Sequence, residues 1–251
     1  MRRLLDDTGR AVEVPDAVER VVSIVPSLTE SIAATAPGLL VGATDWCTHP
    51  ADLDVVRVKG TKNPDVGAIT DLRPDLVLAN AEENREPDLD ALRAAGLAVW
   101  VTDVRTVDGA FTSLARMVSA CGLRRPEWID EAASAWAAVR PFEPRRRAVV
   151  PIWRRPWMAV GSDTFTGAVL ARLGVDNVLA GSPERYPRIA LDELPDADLV
   201  VLPDEPYRFA ADDGPEAFPG VPAALVSGRH LTWYGPSLVE APAVLREQLT
   251  T

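Results

Sequence analysis

The two halves of the chain run through the same order of predicted elements. In the first half, "RVVSIVPSLTESIAATAPGLLVGATD" predicts a buried strand, a helix and a second strand, and "AITDLRPDLVLAN" predicts a short helix and a third strand. In the second half the same succession is predicted by "RAVVPIW", "SDTFTGAVLARLGVDNVLA" and "ALDELPDADLVVLPD". A repeat of order and spacing indicates an internal duplication. Strands that alternate with helices predict mainly parallel sheets covered by helices on both faces.

This pattern predicts an α/β protein with two similar lobes. We expect an N-terminal lobe over residues 1–105, a connecting helical segment over residues 106–140 and a C-terminal lobe over residues 141–251. The connecting segment has apolar residues at helical spacing, so it predicts a rigid backbone of helices and not a flexible linker. Ligands of open parallel sheets bind beyond the carboxyl ends of the strands. We therefore expect the ligand cleft to lie between the lobes.

The composition argues against two kinds of partner. The formal net charge of -11 disfavours nucleic acid, because phosphate binding depends on clustered Lys and Arg. No stretch approaches the roughly 18 consecutive apolar residues that a membrane helix requires, so no transmembrane segment is predicted. Acidic residues interrupt the N-terminus before an apolar segment begins, which predicts no signal peptide and a cytoplasmic location. A signal omitted upstream would instead make the protein extracytoplasmic.

The segment "VPIWRRPWMAVGS" places aromatic and cationic side chains directly after a strand predicted over residues 148–152. These side chains are Trp153, Arg154, Arg155 and Trp157. The matching segment of the first lobe, "TDWCTHP", offers Trp46. Aromatic walls combined with arginines suit a large, partly planar ligand with anionic or polar groups. The alternative is that the tryptophans pack against the end of the sheet.

The same first-lobe segment contains three potential metal ligands. Asp45, Cys47 and His49 stand at alternate positions, so an extended segment would turn all three to one side. Such a mixed set of oxygen, sulfur and nitrogen donors predicts a transition-metal site. The alternative is that Cys47 is buried and His49 caps a turn.

Three glutamates, Glu82, Glu83 and Glu86, follow a predicted strand in "NAEENRE". They predict either contacts to ligand amines or paired carboxylates for acid/base work, with a solvated surface as the alternative. The sequence contains no G-x-S-x-G, G-x-x-x-x-G-K, G-x-G-x-x-G or H-E-x-x-H motif. These motifs mark nucleophilic, nucleotide-dependent and zinc enzymes, so their absence favours binding over catalysis.

An ordered set of segments resembles the helical-backbone, class III periplasmic-binding-protein family, which serves vitamin B12 and ferric siderophore import. The segments are "RVVSIVPSLTE", "VGATDWCTHP", "LRPDLVLAN", "GSDTFTGAVLARLGVDNV" and "LTWYGPSL", and the resemblance spans roughly residues 10 to 250. It implies a monomeric solute-binding protein that is not an enzyme and has no intrinsic cofactor. It also implies a bulky metal chelate, such as cobalamin or a ferric siderophore, as ligand and an ABC permease as partner.

The resemblance, together with the aromatic and cationic segment, predicts a set of ligand contacts. These are Trp46, Lys62, Asn80, Trp153, Arg154, Arg155, Trp157, Tyr186 and Trp233. Asp192 and Glu193 fall where the family docks on its permease, whereas Gly67 occupies the first-lobe docking position that is usually a glutamate. Two alternatives stay open at this point. One is an intracellular relative that binds a small molecule or metal without a permease, and the other is a small hydrolase or transferase on the same lobes.

Overall fold

The structure is a computed structural model that describes residues 1–250. The chain forms two compact units. Unit 1 consists of Met1–Asp103, Ala110–Asp130 and Tyr234–Pro236. Unit 2 consists of Val104–Gly109, Glu131–Trp233 and the C-terminal segment that begins at Ser237.

Unit 1 is built around a parallel sheet of five strands. The strands of unit 1, inside and outside this sheet, are β1 (Arg2–Leu5), β2 (Ala11–Val14), β3 (Val21–Ser23), β4 (Leu40–Ala43), β5 (Val56–Arg57), β6 (Lys59–Gly60), β7 (Asn63–Pro64), β8 (Leu76–Asn80) and β9 (Val99–Thr102). Its helices are α1 (Pro26–Thr35), α2 (Val66–Asp71) and α3 (Glu86–Ala94). The sheet has the order β5-β4-β3-β8-β9, while β1-β2 and β6-β7 form separate antiparallel hairpins.

Two helices occupy the segment for which the sequence predicts a helical connection. They are α4 (Val107–Ala120) and α5 (Glu127–Ala137). Two of the boundaries between the units fall inside these helices, after Gly109 in α4 and after Asp130 in α5. The lobe boundaries expected at residues 105 and 140 stay a prediction.

Unit 2 is built around a parallel sheet of four strands. The strands of unit 2, inside and outside this sheet, are β10 (Arg146–Val149), β11 (Pro151–Trp153), β12 (Met158–Ala159), β13 (Val175–Asn177), β14 (Leu199–Pro203) and β15 (Ala223–Val226). Its helices are α6 (Phe165–Leu173), α7 (Gly228–Thr232) and α8 (Ala241–Gln248). The sheet has the order β13-β10-β14-β15, and β11 pairs with β12 in a separate antiparallel hairpin.

The two sheets share one topology. In unit 1 the strands β4-β3-β8-β9, and in unit 2 the strands β13-β10-β14-β15, stand in the order second, first, third, fourth along the chain. The predicted α/β class with parallel sheets and repeated halves is confirmed. In both units the strand order reverses between the first and third strands, which are β3 and β8 in unit 1 and β10 and β14 in unit 2. Such a reversal is a topological switch point, where open α/β sheets bind ligands beyond their carboxyl ends.

Apolar side chains from strands and helices form a core in each unit. In unit 1, Val22 and Val77 of the sheet belong to one buried cluster with Leu89 and Leu92 of α3. Leu89 and Leu92 are three positions apart and therefore lie on one face of that helix. Burial of these side chains stabilises the sheet, so the loops at its carboxyl edge are carried by a rigid support.

The β11-β12 hairpin departs from the single strand predicted over residues 148–152. β10 ends at Val149, and β11 turns away to pair with β12. Pro151 supplies the reason, because a residue without a backbone N–H cannot continue a strand in the middle of a sheet. The aromatic segment therefore stands on a hairpin that leaves the sheet at the carboxyl end of β10.

Two further differences concern local hydrogen bonds. The N-terminal β1-β2 hairpin was not predicted, and its turn is closed by the Asp6 carboxylate, which accepts hydrogen bonds from the N–H groups of Thr8 and Arg10. The helix expected in "ALDELPD" is only a 3-10 turn over Leu191–Glu193. Its counterpart α2 is capped by Asp65, which accepts from the N–H of Ala68, whereas the 3-10 turn has no side-chain cap.

Candidate ligand site

The switch point of unit 2 carries a pair of aromatic rings, one exposed and the other half-buried. Trp153 ends β11 and is 44% exposed. Its ring meets the ring of Tyr207 edge to face, with centroids 5.8 Å apart. Trp153 lies on the hairpin that follows β10 and Tyr207 lies in the loop that follows β14, so the two rings follow the two strands that flank the switch point. The sequence did not single out Tyr207, although an aromatic residue shortly after a buried strand, as in "VVLPDEPY", is a usable signal.

A hydrogen-bonded network holds Tyr207 in place. Its hydroxyl donates to the Asp213 carboxylate at 2.6 Å, and this bond, supported by Arg154, keeps the pKa of Asp213 below its ordinary value. Arg154 forms ion pairs with Asp213 and Glu216, and its guanidinium lies over the ring of Trp157 at 5.2 Å. Arg154 was expected to meet anionic groups of the ligand. The structure instead engages it with two carboxylates of its own unit, so its role is to position Asp213 and Tyr207.

Arg155 differs from its neighbour. It is exposed, its backbone is in the left-handed region with φ of 68°, and it forms no ion pair within residues 1–250. Its charge nevertheless lowers the pKa of Asp213, though less than Tyr207 and Arg154 do. Arg155 is therefore the cation of this turn that is accessible to a ligand.

Trp157 belongs to the core of unit 2. Its half-buried ring stacks parallel to Phe209, with centroids 6.0 Å apart, and meets Phe218 edge to face at 5.5 Å. Phe209 and Phe218 are buried in the same cluster. Of the two tryptophans in the segment, the packing alternative therefore applies to Trp157, while Trp153 presents its ring to solvent.

On the surface of unit 1, Trp46 and Lys62 lie in the loops that follow β4 and β6. Trp46 is 67% exposed, and its indole lies so close over Gly60 that a Cβ on this glycine would be 3.2 Å from Nε1. Lys62 is exposed and donates from Nζ to the carbonyl of Glu82 at 2.6 Å. Both side chains are accessible at the carboxyl edge of the sheet.

Asn80 does not have the role that was expected of it. It is buried, and its Oδ1 accepts hydrogen bonds from the N–H groups of Glu82 and Glu83 at 2.9 and 3.0 Å. Its Nδ2 donates to the carbonyl oxygen of Thr102 at 2.9 Å. The side-chain amide is fully hydrogen-bonded within unit 1. Asn80 therefore shapes the turn after β8 and does not offer a free group to a ligand.

The three-residue metal face expected around Cys47 is not formed. Asp45 is exposed, whereas the buried Cys47 accepts a hydrogen bond from Thr29 at 3.0 Å, and His49 contacts its neighbour Thr48. Burial raises the pKa of the Cys47 thiol, against the hydrogen bonds that it receives. The segment is a turn and not an extended strand, so alternate residues do not share a side. Within residues 1–250 no cluster of three or more His, Cys, Asp or Glu side chains is arranged to hold a metal ion.

The remaining predicted residues are dispersed. Tyr186 is half-buried beneath the guanidinium of Arg185, 5.9 Å from its ring, whereas Trp233 is buried and only 7% exposed. The two acidic residues of the 3-10 turn Leu191–Glu193 are exposed, as is Gly67 in α2. Burial gives Trp233 a packing role.

A surface groove of about 550 Å³ lies elsewhere in unit 1. It is lined in part by Pro74 and Asp75, which precede β8, and by Leu97 and Ala98, which precede β9. These residues stand at the amino ends of the strands, the edge that parallel sheets do not use for ligands. Its volume alone does not make it the ligand site.

Known proteins provide an independent comparison. No family model matches the sequence. The vitamin B12-binding protein of Pectobacterium carotovorum subsp. carotovorum (strain PC1) is 22% identical over 255 residues, covering 92% of this chain and 88% of that protein. The periplasmic vitamin B12-binding protein BtuF of Vibrio cholerae has a TM-score of 0.73 at 19% identity, covering 92% and 96% of the two chains. The periplasmic heme-binding protein BhuT, solved with two hemes, has a TM-score of 0.75 at 24% identity, covering 92% and 97%.

The chain has the periplasmic-binding-protein fold. The predicted resemblance to the helical-backbone members is confirmed, since solved proteins with this fold match nearly the whole chain. These relatives are solute-binding proteins and not enzymes, and they are named for B12 or heme as the solute that they bind. The cytoplasmic location expected from the sequence is wrong, because relatives with this fold are periplasmic and point to an extracytoplasmic location. No helix within residues 1–250 combines the length and apolar character needed to cross a membrane.

Proposed function

We propose that the chain is an extracytoplasmic solute-binding protein for a bulky metal chelate of the corrinoid, heme or ferric siderophore type. The observation that carries the proposal is the pair formed by the exposed Trp153 and the half-buried Tyr207 at the switch point of unit 2. Rigid aromatic rings offer a large contact area and lose little conformational entropy when they bind. A flat macrocycle or an aromatic chelate fits such a wall, and Arg155 beside it suits a carbonyl or phosphate oxygen of the ligand.

Unit 1 supports the proposal with a second accessible aromatic side chain. Trp46 follows β4 and stands 67% exposed above Gly60. A single exposed tryptophan is unremarkable on a protein surface. Its position at the carboxyl edge of a parallel sheet is the feature that supports a ligand contact.

We propose further that the protein acts as a monomer and delivers its ligand to an ABC permease through unit 2. Asp192 and Glu193 are exposed on the 3-10 turn that precedes β14. The resemblance to the family implies permease docking at these two residues. Gly67 occupies the other docking position, so unit 1 offers no carboxylate there. Reversing the charge of Asp192 and Glu193 should abolish stimulation of the cognate permease without changing ligand affinity.

Isothermal titration calorimetry with cyanocobalamin, hemin and a ferric siderophore tests the proposed function. Calorimetry is preferred to tryptophan quenching because these chelates absorb the emitted light. We expect saturable binding of at least one chelate, and none of free Zn²⁺ or Ni²⁺ at the same concentrations. No saturable heat with any of the three chelates would refute the proposal.

A further inference from the structure

The turn after β8 holds an acidic side chain at the switch point of unit 1. The N–H of Glu83 donates to Oδ1 of Asn80 at 3.0 Å. The next residue, Asn84, is buried and donates from Nδ2 to the carbonyl oxygens of Thr61 and Ile24, at 2.9 and 3.3 Å. Because buried hydrogen bonds fix the turn on both sides of Glu83, its position is defined by the fold and not by a mobile loop.

The carboxylate of Glu83 lacks a partner of its own. The side chain is half-buried, yet it forms no hydrogen bond or ion pair with any other residue of the described chain. Burial raises the pKa of Glu83, and the positive charge of Lys62 opposes this rise. The ammonium of Lys62 itself donates to the carbonyl of Glu82. Buried carboxylates are normally paired or hydrogen-bonded, so an acid left in this state is a local departure from the rule.

Polar residues stand at the carboxyl ends of the strands on either side of β8. Ser27 follows β3 and Thr102 ends β9, so Ser27, Glu83 and Thr102 stand at the carboxyl ends of three neighbouring strands. This is the edge of the sheet where parallel sheets bind ligands.

We infer that Glu83 accepts a hydrogen bond from an N–H donor on the rim of the ligand. This inference rests on the proposed function and narrows its ligand class. A carboxylate attracts amide or ammonium groups and repels other carboxylates. Unit 1 therefore selects a macrocycle with primary amide side chains, as a corrinoid has, over one with carboxylate side chains, as heme has.

The variants Glu83→Ala and Glu83→Gln test this assignment, with Glu86→Ala as the matched control. Glu86 is an exposed glutamate on α3 that pairs with Arg93 at 2.7 Å. We expect Glu83→Ala to weaken cyanocobalamin binding by about tenfold or more, as loss of a charge-assisted hydrogen bond does. The same variant should leave hemin binding unchanged or tighter, and Glu86→Ala should change neither. Unchanged corrinoid affinity, or equal weakening for both ligands, would overturn the inference.

A second measurement needs no ligand. If Glu83 has no partner in the free protein, the neutral Glu83→Gln variant should unfold about 2 °C higher, since an unmet acid destabilises the fold. A lower unfolding temperature would mean that the protein satisfies this carboxylate internally, and the inference would be wrong. If the unaltered chain binds no chelate in the titration, the proposed function is wrong, and the assignment of the ligand class is then wrong as well. The thermal shift still decides separately whether Glu83 is an unmet acceptor.

Discussion

Trp153 and Tyr207 meet edge to face at the carboxyl end of the unit 2 sheet, with ring centroids 5.8 Å apart and ring planes at 78°. Trp153 lies on the hairpin that follows β10, and Tyr207 lies in the loop that follows β14. The hydroxyl of Tyr207 is bound by Asp213, which in turn is held by Arg154. The Trp153–Tyr207 pair is therefore already assembled in the free protein, which reduces the entropy lost on binding.

Removing the ring of Tyr207 should weaken the binding of the chelate. We expect Tyr207→Ala to raise Kd about tenfold or more, because truncation of an aromatic anchor commonly costs over 1 kcal/mol. Tyr207→Phe is the matched control, since it keeps the ring and loses only the hydroxyl, and it should retain most of the affinity. Calorimetric titration measures both. Equal affinity in Tyr207→Ala and the unaltered protein would remove Tyr207 from the site.

The two tryptophans of the hairpin should separate in a stability measurement. Trp157→Ala should lower the free energy of unfolding by about 3 kcal/mol, because it empties a ring site packed on Phe209 and Phe218. Trp153→Ala should lower it by less than about 1 kcal/mol, since a surface side chain contributes little. Urea denaturation of the free protein gives both values. The reverse order would mean that Trp153 is the packed residue.

The adjacent arginines Arg154 and Arg155 should also differ, one affecting stability and the other affecting binding. Arg154→Ala leaves Asp213 and Glu216 without their cation and should lower the urea midpoint. Arg155→Ala should leave that midpoint unchanged and weaken the binding of the chelate severalfold, with a loss that shrinks as salt increases. Titrations at low and high salt measure the effect. A binding loss in Arg155→Ala that is independent of salt would argue against a charged contact.

The cysteine thiols should be unreactive in the folded protein. Burial raises the pKa of Cys47 and that of Cys121, the latter to about 12, so little thiolate is present at pH 8. We expect Ellman's reagent to modify neither thiol until guanidinium is added, and then to modify both. Rapid modification of Cys47 in the native protein would reopen a role for it in metal binding.

Glu240 should contribute a pH-dependent increment of stability. The His230 ring is 2.9 Å from its carboxylate, and this hydrogen bond, helped by Arg229, holds the pKa of Glu240 below the ordinary 4.5. A lowered carboxyl pKa stabilises the fold above the ordinary value and loses that effect as pH falls through the folded value. Because the pair is partly exposed, the increment is at most about 1 kcal/mol.

Comparing His230→Gln with the unaltered protein between pH 3 and pH 7 measures this increment. The difference in unfolding free energy should be present at pH 7 and shrink below pH 4.5. A difference that persists unchanged at pH 3 would assign the effect of His230 to packing and not to the charge of Glu240.

Much of the fold was predictable because its signals are local. The buried strand around Val22 and the capped helix at Thr164 can each be identified within a window of about ten residues. The break at Pro151 is also a local signal, because proline has no backbone N–H and cannot continue a strand in the middle of a sheet. The β1-β2 hairpin was not predicted, because its turn is closed by the side chain of Asp6 and the acidic residues of this segment served only to exclude a signal peptide.

The site was less predictable, because a residue type does not reveal its partners. Arg154 and Arg155 are adjacent and identical in kind, yet only Arg154 finds Asp213 and Glu216. Asn80 and Glu83 lie on one turn, yet the amide is fully bonded and the carboxylate is left over. These outcomes depend on loops far away in sequence, which no local pattern contains.

By itself, the sequence determined the α/β class, the repeated order of elements and the positions of the strand ends. These follow from periodicity and turn chemistry, which act between near neighbours along the chain. Only the tertiary structure decided that Tyr207 joins Trp153, that Trp157 is core and that Glu83 stays without a partner. The physical reason is that hydrogen bonding and burial are settled by which distant segments the sheet order brings together.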